Sequence, residues 1–385
     1  MPTRDPQKIV NRLAIVTALQ WTGSTMGLPL LALYLTHRGL ATAWVGVVMA
    51  SFAVAGVATQ FLLGHAADRF GRRIVLIGGL IAYAIGSLSF TLPIPVGFFI
   101  LGRALQGAGA GAEQVAAMSV VADLVPSDQL GKSTAKIYSA QLFGVVFGPL
   151  LGSLTSLANL PWAFAVAGLL SCVAALSVVG INIPHIVHDE PLPPLRINRQ
   201  VSGSTIAAGV LGFATGAYES CWSLLMHAHH ASLFQIRLSW TMFGVPWLLL
   251  SHVGGKWADR YDRRFIVVVG LLNACVFIAT YPWIRNPWLM IAFGSLEAVT
   301  AALSAPSSAS LLADGAEPRE QGRRQGLAST ASTAALGIGS MCAAPLFAVA
   351  QWLPFTAVAV IGAGATLTIP FIWRDVAGRA TNTSS

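Results

Sequence analysis

Long apolar runs separated by short polar breaks fill this chain from end to end. Twelve can be marked, over 9–34, 44–65, 74–92, 96–122, 131–157, 161–182, 204–226, 237–256, 265–284, 288–313, 325–350 and 353–373. Each is near the roughly 20 residues that carry a helix across about 30 Å of hydrocarbon. His37-Arg38-Gly39 closes the first run, Pro93-Ile94-Pro95 the third and Arg285-Asn286-Pro287 the ninth, all sequences that interrupt a helix or mark a loop. The pattern predicts an all-α membrane protein of twelve transmembrane helices.

The pattern also repeats. Gly64-His65-Ala66-Ala67-Asp68-Arg69-Phe70-Gly71-Arg72-Arg73 returns 191 residues later as Gly255-Lys256-Trp257-Ala258-Asp259-Arg260-Tyr261-Asp262-Arg263-Arg264. At the same offset Gln106 meets Glu297, Asp123 meets Asp314, Gly131 meets Gly322 and Lys132 meets Arg323. A gapless match over about 70 residues predicts two homologous halves, the usual build of a secondary transporter. Asp262 stands where the first loop has Gly71, so the two turns are expected to differ. The halves are expected at 1–183 and 204–385. Between them, 184–203 carries Pro184, Pro191, Pro193 and Pro194 without helical period and reads as an extended cytoplasmic tether.

Composition agrees. Hydrophobic residues make up 55% and charged residues 10%, too few charges to clothe a soluble domain. The net charge of +8 does not mark a nucleic-acid binder, because the basic residues lie in short loops between apolar runs. With the N-terminus inside, nineteen Lys and Arg fall on the cytoplasmic side, against Arg38, Arg237 and Arg285 outside, while Arg103 is within a span. That asymmetry predicts both termini in the cytoplasm. Cys172, Cys221, Cys275 and Cys342 each lie in an apolar run without a C-x-x-C pair, and read as packing residues. The first run is too long for a cleaved signal. There is no Walker loop, H-E-x-x-H or G-x-S-x-G, so no enzyme chemistry and no cofactor is expected.

The motifs are specific enough to carry a resemblance. Gly64 to Arg73 resembles the G-x-x-x-D-R-x-G-R-[KR] signature of the major facilitator superfamily. Arg103-Ala104-Leu105-Gln106-Gly107-Ala108-Gly109 is similar to its R-x-x-Q-G-x-G motif. Gly144 to Ser153, with Gly148, Pro149 and Gly152, is similar to the G-x-x-x-G-P-x-x-G-G motif of its twelve-span drug:proton antiporters, with Ser153 in place of the last Gly. The resemblance covers the whole chain. It implies two pseudo-symmetric six-helix bundles, a cavity lined by spans 1, 4, 7 and 10, and alternating access. It also implies that Asp68 meets the start of span 11 and that an arginine of the loop meets Asp123. Span 1 lacks the acid many such exporters carry and offers Gln20 instead.

Chemistry is expected where polar groups are stranded in hydrocarbon, since a charge there costs about 2.5–3.5 kcal/mol or more and is usually functional. Arg103 and Glu113 in span 4, Glu219 in span 7 and Glu297 in span 10 qualify. At about 100° per residue, Gln106, Ala110, Glu113 and Gln114 fall within about 80° of Arg103 around span 4, a polar stripe. At least one of Glu113, Glu219 and Glu297 is expected to bind a driving proton, with Arg103 holding a carboxylate ionised. The competing reading is a static ion pair that fixes helix packing. Gly64, Asp68, Arg69, Gly71, Arg72, Arg73 and Asp123, with Asp259, Arg260, Arg263 and Asp314 in the second half, form the candidate latch. The competing reading there is topogenic charge. Gly144, Gly148, Pro149 and Gly152 recur every fourth residue and allow close helix approach. Trp21, Tyr218 and Trp222 are candidate aromatics for a flat lipophilic substrate. His227, His229 and His230 read as a solvated loop, with no metal site expected.

The expected function is proton-coupled export of small lipophilic compounds; uptake of a metabolite is the alternative. The expected partners are the lipid bilayer, a small-molecule substrate and protons, with no nucleic acid. One chain holds a complete pair of halves, so a monomer in a prokaryotic inner membrane is expected.

Overall fold

The computed structural model describes residues 6–181, 183, 197–316 and 318–376, with the side chains of 61–70, 127–128 and 318–319 left aside. The tether predicted at 184–203 therefore lies almost wholly outside the described residues. Twelve α-helices and no strand are found among them. They are α1 (Pro6–His37), α2 (Thr42–Phe70), α3 (Arg72–Ser89), α4 (Phe99–Leu124), α5 (Ser127–Gly152), α6 (Leu160–Val179), α7 (Arg199–Ala228), α8 (Leu233–Arg260), α9 (Arg263–Thr280), α10 (Pro287–Ala313), α11 (Pro318–Val349) and α12 (Leu353–Ile372). Every predicted span has its helix, with ends displaced by a few residues.

Helix starts follow local chemistry. Asn198 caps α7 by accepting from the Val201 amide, and Ser232 with Gln235 forms a reciprocal capping box at α8. Asn286 caps α10, whose first residue is Pro287. The predicted difference between the two charged loops is seen. Gly71 takes φ +87° before α3, a region that favours glycine. Asp262 takes φ −65° before α9 and caps it, its side chain accepting from the Arg264 amide.

Among the described residues, eight helices are long and apolar enough to span a bilayer by length and composition alone; α1, α4, α5 and α7 are not among them. Those four carry much of the polar and small-residue content singled out above. The outer helices show the opposite. Leu169, Val173 and Leu176 of α6 are exposed, as are Val360, Leu367 and Phe371 of α12. Apolar faces of this kind belong against lipid tails.

The chain forms two compact units, residues 1–41 with 47–192 and residues 42–46 with 193–385. In the first, α1 packs on α5 and α6, α3 packs on α6, and α4 packs on α3. In the second, α7 packs on α11 and α12, α9 packs on α12, and α10 packs on α9. The packing plan repeats as the sequence does. Gly144, Gly148 and Gly152 of α5 lie against Trp21, Thr25 and Met26 of α1, where an added Cβ would collide with backbone or side chain. Thr25 Oγ1 donates to the Gly144 carbonyl at 2.8 Å across that contact, the close approach expected of small residues every fourth position.

Candidate functional site

In the first unit three polar side chains of α4 turn to three different neighbours. Glu113, 1% exposed, accepts a hydrogen bond from Thr17 Oγ1 of α1 at 2.8 Å. Gln106 donates from Nε2 to Ser87 Oγ of α3 at 2.9 Å. Arg103 donates from Nη1 to Gln106 Oε1 at 3.0 Å, and its guanidinium lies 4.5 Å from the centre of the Phe52 ring. The stripe is therefore divided among α1, α2 and α3. Ten residues separate Arg103 from Glu113, about 15 Å along a helix, which two side chains of α4 do not bridge. The described partner of Glu113 is a threonine of α1. Gln114 is half-buried. Gln20 is corrected. Its Oε1 accepts from Ser171 Oγ of α6 at 2.6 Å, so it stitches helices of this unit together instead of facing a passage.

The second unit holds the more elaborate arrangement. Glu297 of α10 is 4% exposed. Tyr218 Oη of α7 lies 3.0 Å from Oε1 and 2.9 Å from Oε2. Tyr281 Oη reaches Oε2 at 2.5 Å. Tyr281 opens a 3₁₀ turn, Tyr281–Trp283, between α9 and α10. Trp222 closes the group, with its ring 4.8 Å from Tyr281 and 5.8 Å from Tyr218, both edge-on. The indole Nε1 donates to Ser239 Oγ of α8 at 2.8 Å. A carboxyl group two phenols deep in an apolar bundle is held by donors that lose nothing to water. Gly294 is the repeat mate of Arg103, and Tyr281 Oη lies 3.7 Å from where a Cβ on Gly294 would stand. The place that a guanidinium serves beside Gln106 is served by a phenol beside Glu297.

Of the residues read from sequence as substrate aromatics, Tyr218 is a partner of Glu297, and Trp222 packs edge-on against Tyr218 and Tyr281. Trp21 sits half-buried in the contact with α5. Glu219 of α7 is half-buried. Arg237 needs a larger correction. Sequence placed it on the outer side, but the capping box at Ser232 starts α8 early, and Arg237 lies in its second turn, 2% exposed. Charges inside the spans are therefore not confined to spans 1, 4, 7 and 10. Thr17, Ser87, Tyr281 and Arg237 were missed as functional candidates. Hydroxyls in helices read as packing, a tyrosine ending an apolar run reads as an interfacial anchor, and only Arg237 carried a signal, its closeness to an apolar run.

At the other end of the helices the charged loops form matching ion pairs. Arg72 pairs with Asp123 in the first unit. Its repeat mate Arg263 pairs with Asp314 at 2.7 Å, donates from Nε to the Ala258 carbonyl at 2.8 Å, and lies 3.7 Å from Asp259. Arg73 donates to the Val179 carbonyl, and Arg260 is exposed beside Tyr261. The side chains of Asp68 and Arg69, and the surroundings of Gly64, are outside the described residues.

Two bundles of six apolar helices with buried carboxyl groups define a membrane transporter rather than a soluble enzyme. The profile of the Major Facilitator Superfamily matches residues 13–205 and 204–385, and the chain belongs to that superfamily. The quinolone resistance protein NorA of Staphylococcus aureus is 24% identical over 362 residues, 91% of this chain and 93% of that protein. The inner membrane transport protein YajR of Escherichia coli is 30% identical over 185 residues, but the match spans 46% of this chain and only 40% of YajR. The crystal structure of the human organic anion transporter MFSD10 (TETRAN) superposes with a TM-score of 0.70 at 19% identity, covering 97% of this chain and all of that one. At that identity the likeness speaks for the fold.

Proposed function

We propose that this transporter exports small lipophilic compounds in exchange for protons, by alternating access, in a prokaryotic inner membrane with both termini in the cytoplasm. The observation that carries the reading is the burial of Glu297 beneath Tyr218 and Tyr281. A carboxyl group there can bind a proton at small structural cost, since its oxygens already face hydroxyls able to reverse their hydrogen bonds. Glu113 under Thr17 is a second such group in the other unit, and Glu219, half-buried in α7, is the remaining candidate carboxyl group. The Gly144–Gly152 contact with α1 and the likeness to NorA along nearly the whole chain favour export. The pairs Arg72–Asp123 and Arg263–Asp314 serve as the latch at the cytoplasmic end.

The test is accumulation of fluorescent lipophilic cations and neutral dyes in cells with and without the protein. Lower accumulation, restored by a proton uncoupler, supports the proposal. Higher accumulation would replace it with uptake, and no difference would remove transport of this class of compound.

A further inference from the structure

The three histidines after α7 have no part in the proton reading, yet one of them is oddly placed. His230 takes φ +62°, the one described residue other than glycine with positive φ. It follows the end of α7, with its amide bonded to the His227 carbonyl and the Ala231 amide to the Met226 carbonyl. Glycine is the usual residue at such a helix end because any Cβ is crowded there. A strained residue kept where a simpler one would fit points from geometry to a use for its side chain.

That side chain lines a cavity of about 300 Å³ at the end of the second unit opposite the Gly255–Arg264 loop. Arg285, Gln351, Trp283 and Trp352 line it as well, and no acid does. His229 fixes its geometry. Its Nδ1 lies 2.8 Å from the Ile284 carbonyl; a carbonyl only accepts, so Nδ1 carries the hydrogen. This bond ties the end of α7 to the residue before Arg285, which lines the same cavity as His230. Charge points the same way. None of the chain's fifteen acidic residues lies in the three connections of the second unit at this end, 229–232, 281–286 and 350–352, where Arg285 stands. The exposed indoles Trp283, Trp288 and Trp352 of the second unit gather at this end too. Such a belt marks the depth of lipid headgroups.

We propose that this cavity binds a phosphate group, contacted by His230 and Arg285 and shaped by His229 as a positioning residue, the source being either a phospholipid headgroup or free phosphate. An arginine fork suits phosphate oxygens. The site does not depend on the transport reading.

The experiment uses the full chain in dodecyl maltoside micelles. Inorganic phosphate is titrated by calorimetry, and in a second arm native mass spectrometry follows retention of phosphatidylglycerol against diacylglycerol, which lacks the phosphate. His230→Gly is the decisive variant, because glycine suits the backbone there and the fold is kept; Arg285→Gln is the second. Phosphate binding that weakens about tenfold in each variant, as expected for one lost charge-assisted bond, supports the site with free phosphate as source. Selective retention of phosphatidylglycerol that both variants lose supports it with lipid as source. Binding in neither arm, or binding unchanged in His230→Gly and Arg285→Gln, overturns it.

Discussion

Replacing Tyr281 by Phe removes one hydroxyl and leaves the ring that packs 4.8 Å from Trp222. Its effect therefore reports the hydroxyl that reaches Glu297 Oε2, and not the packing of the ring. A hydrogen bond to a charged group contributes about 1.5–3 kcal/mol, and the 4% exposure of Glu297 leaves little water to compensate. The expected loss of unfolding free energy is about 2 kcal/mol for Tyr281→Phe, and less for Tyr218→Phe, whose hydroxyl is divided between both oxygens at 2.9 and 3.0 Å. Because both phenols serve Oε2, each partly covers the loss of the other. The double variant should then lose more than the two single losses together, by about 0.5–3 kcal/mol, the usual coupling of groups in one network. Chemical unfolding in dodecyl maltoside micelles at neutral pH, followed by tryptophan fluorescence, measures all four corners of the cycle. Single losses below about 0.5 kcal/mol that simply add would refute the claim that the tyrosines jointly hold this carboxyl group.

Other consequences are more local. Glu297→Gln, Glu113→Gln and Glu219→Gln, compared in proton-driven dye efflux from cells, should include at least one variant that has lost coupling; full coupling in all three would end the proton assignment. Gly148→Val should destabilise the first unit by about 1–3 kcal/mol, since a Cβ there meets Thr25 Oγ1 and the Thr22 carbonyl; thermal unfolding equal to wild type would show that α5 and α1 are not so close. The Arg264 guanidinium hydrogen-bonded to Asp262 holds its carboxyl below the usual carboxylate range. Asp262 therefore stabilises the α9 cap above its unfolded pKa of about 4, and this contribution disappears as pH falls through the lower folded value. Asp262→Ala should cost about 1 kcal/mol at neutral pH and nothing once the carboxyl is protonated in both states; a pH-independent difference in unfolding would contradict that.

Much of this was legible in the sequence because a bilayer makes strong demands. Twelve apolar runs became twelve helices, since a chain in hydrocarbon has few other ways to satisfy its backbone. The repeat offset made Asp314 the mate of Asp123, and which arginine meets each, Arg72 and its repeat mate Arg263, is seen only in the packing. Individual side-chain partners were not legible. Periodicity put Gln106 and Glu113 on one side of α4, but only the packing shows the first turning to Ser87 and the second to Thr17. Tyr281 was hidden because its partner is sixteen residues away across a turn. Arg237 was misplaced because a helix start depends on its cap, and the Ser232–Gln235 box lies before the apolar run begins.

The proton assignment is tested most directly in proteoliposomes loaded with a pH-sensitive dye, to which a transported lipophilic compound is added without any imposed gradient. The account predicts proton movement opposite to the compound in the wild-type protein, and compound movement without protons in the Glu→Gln variant of the coupling carboxyl group. Proton movement that persists when Glu113, Glu219 and Glu297 are all replaced by Gln would contradict it.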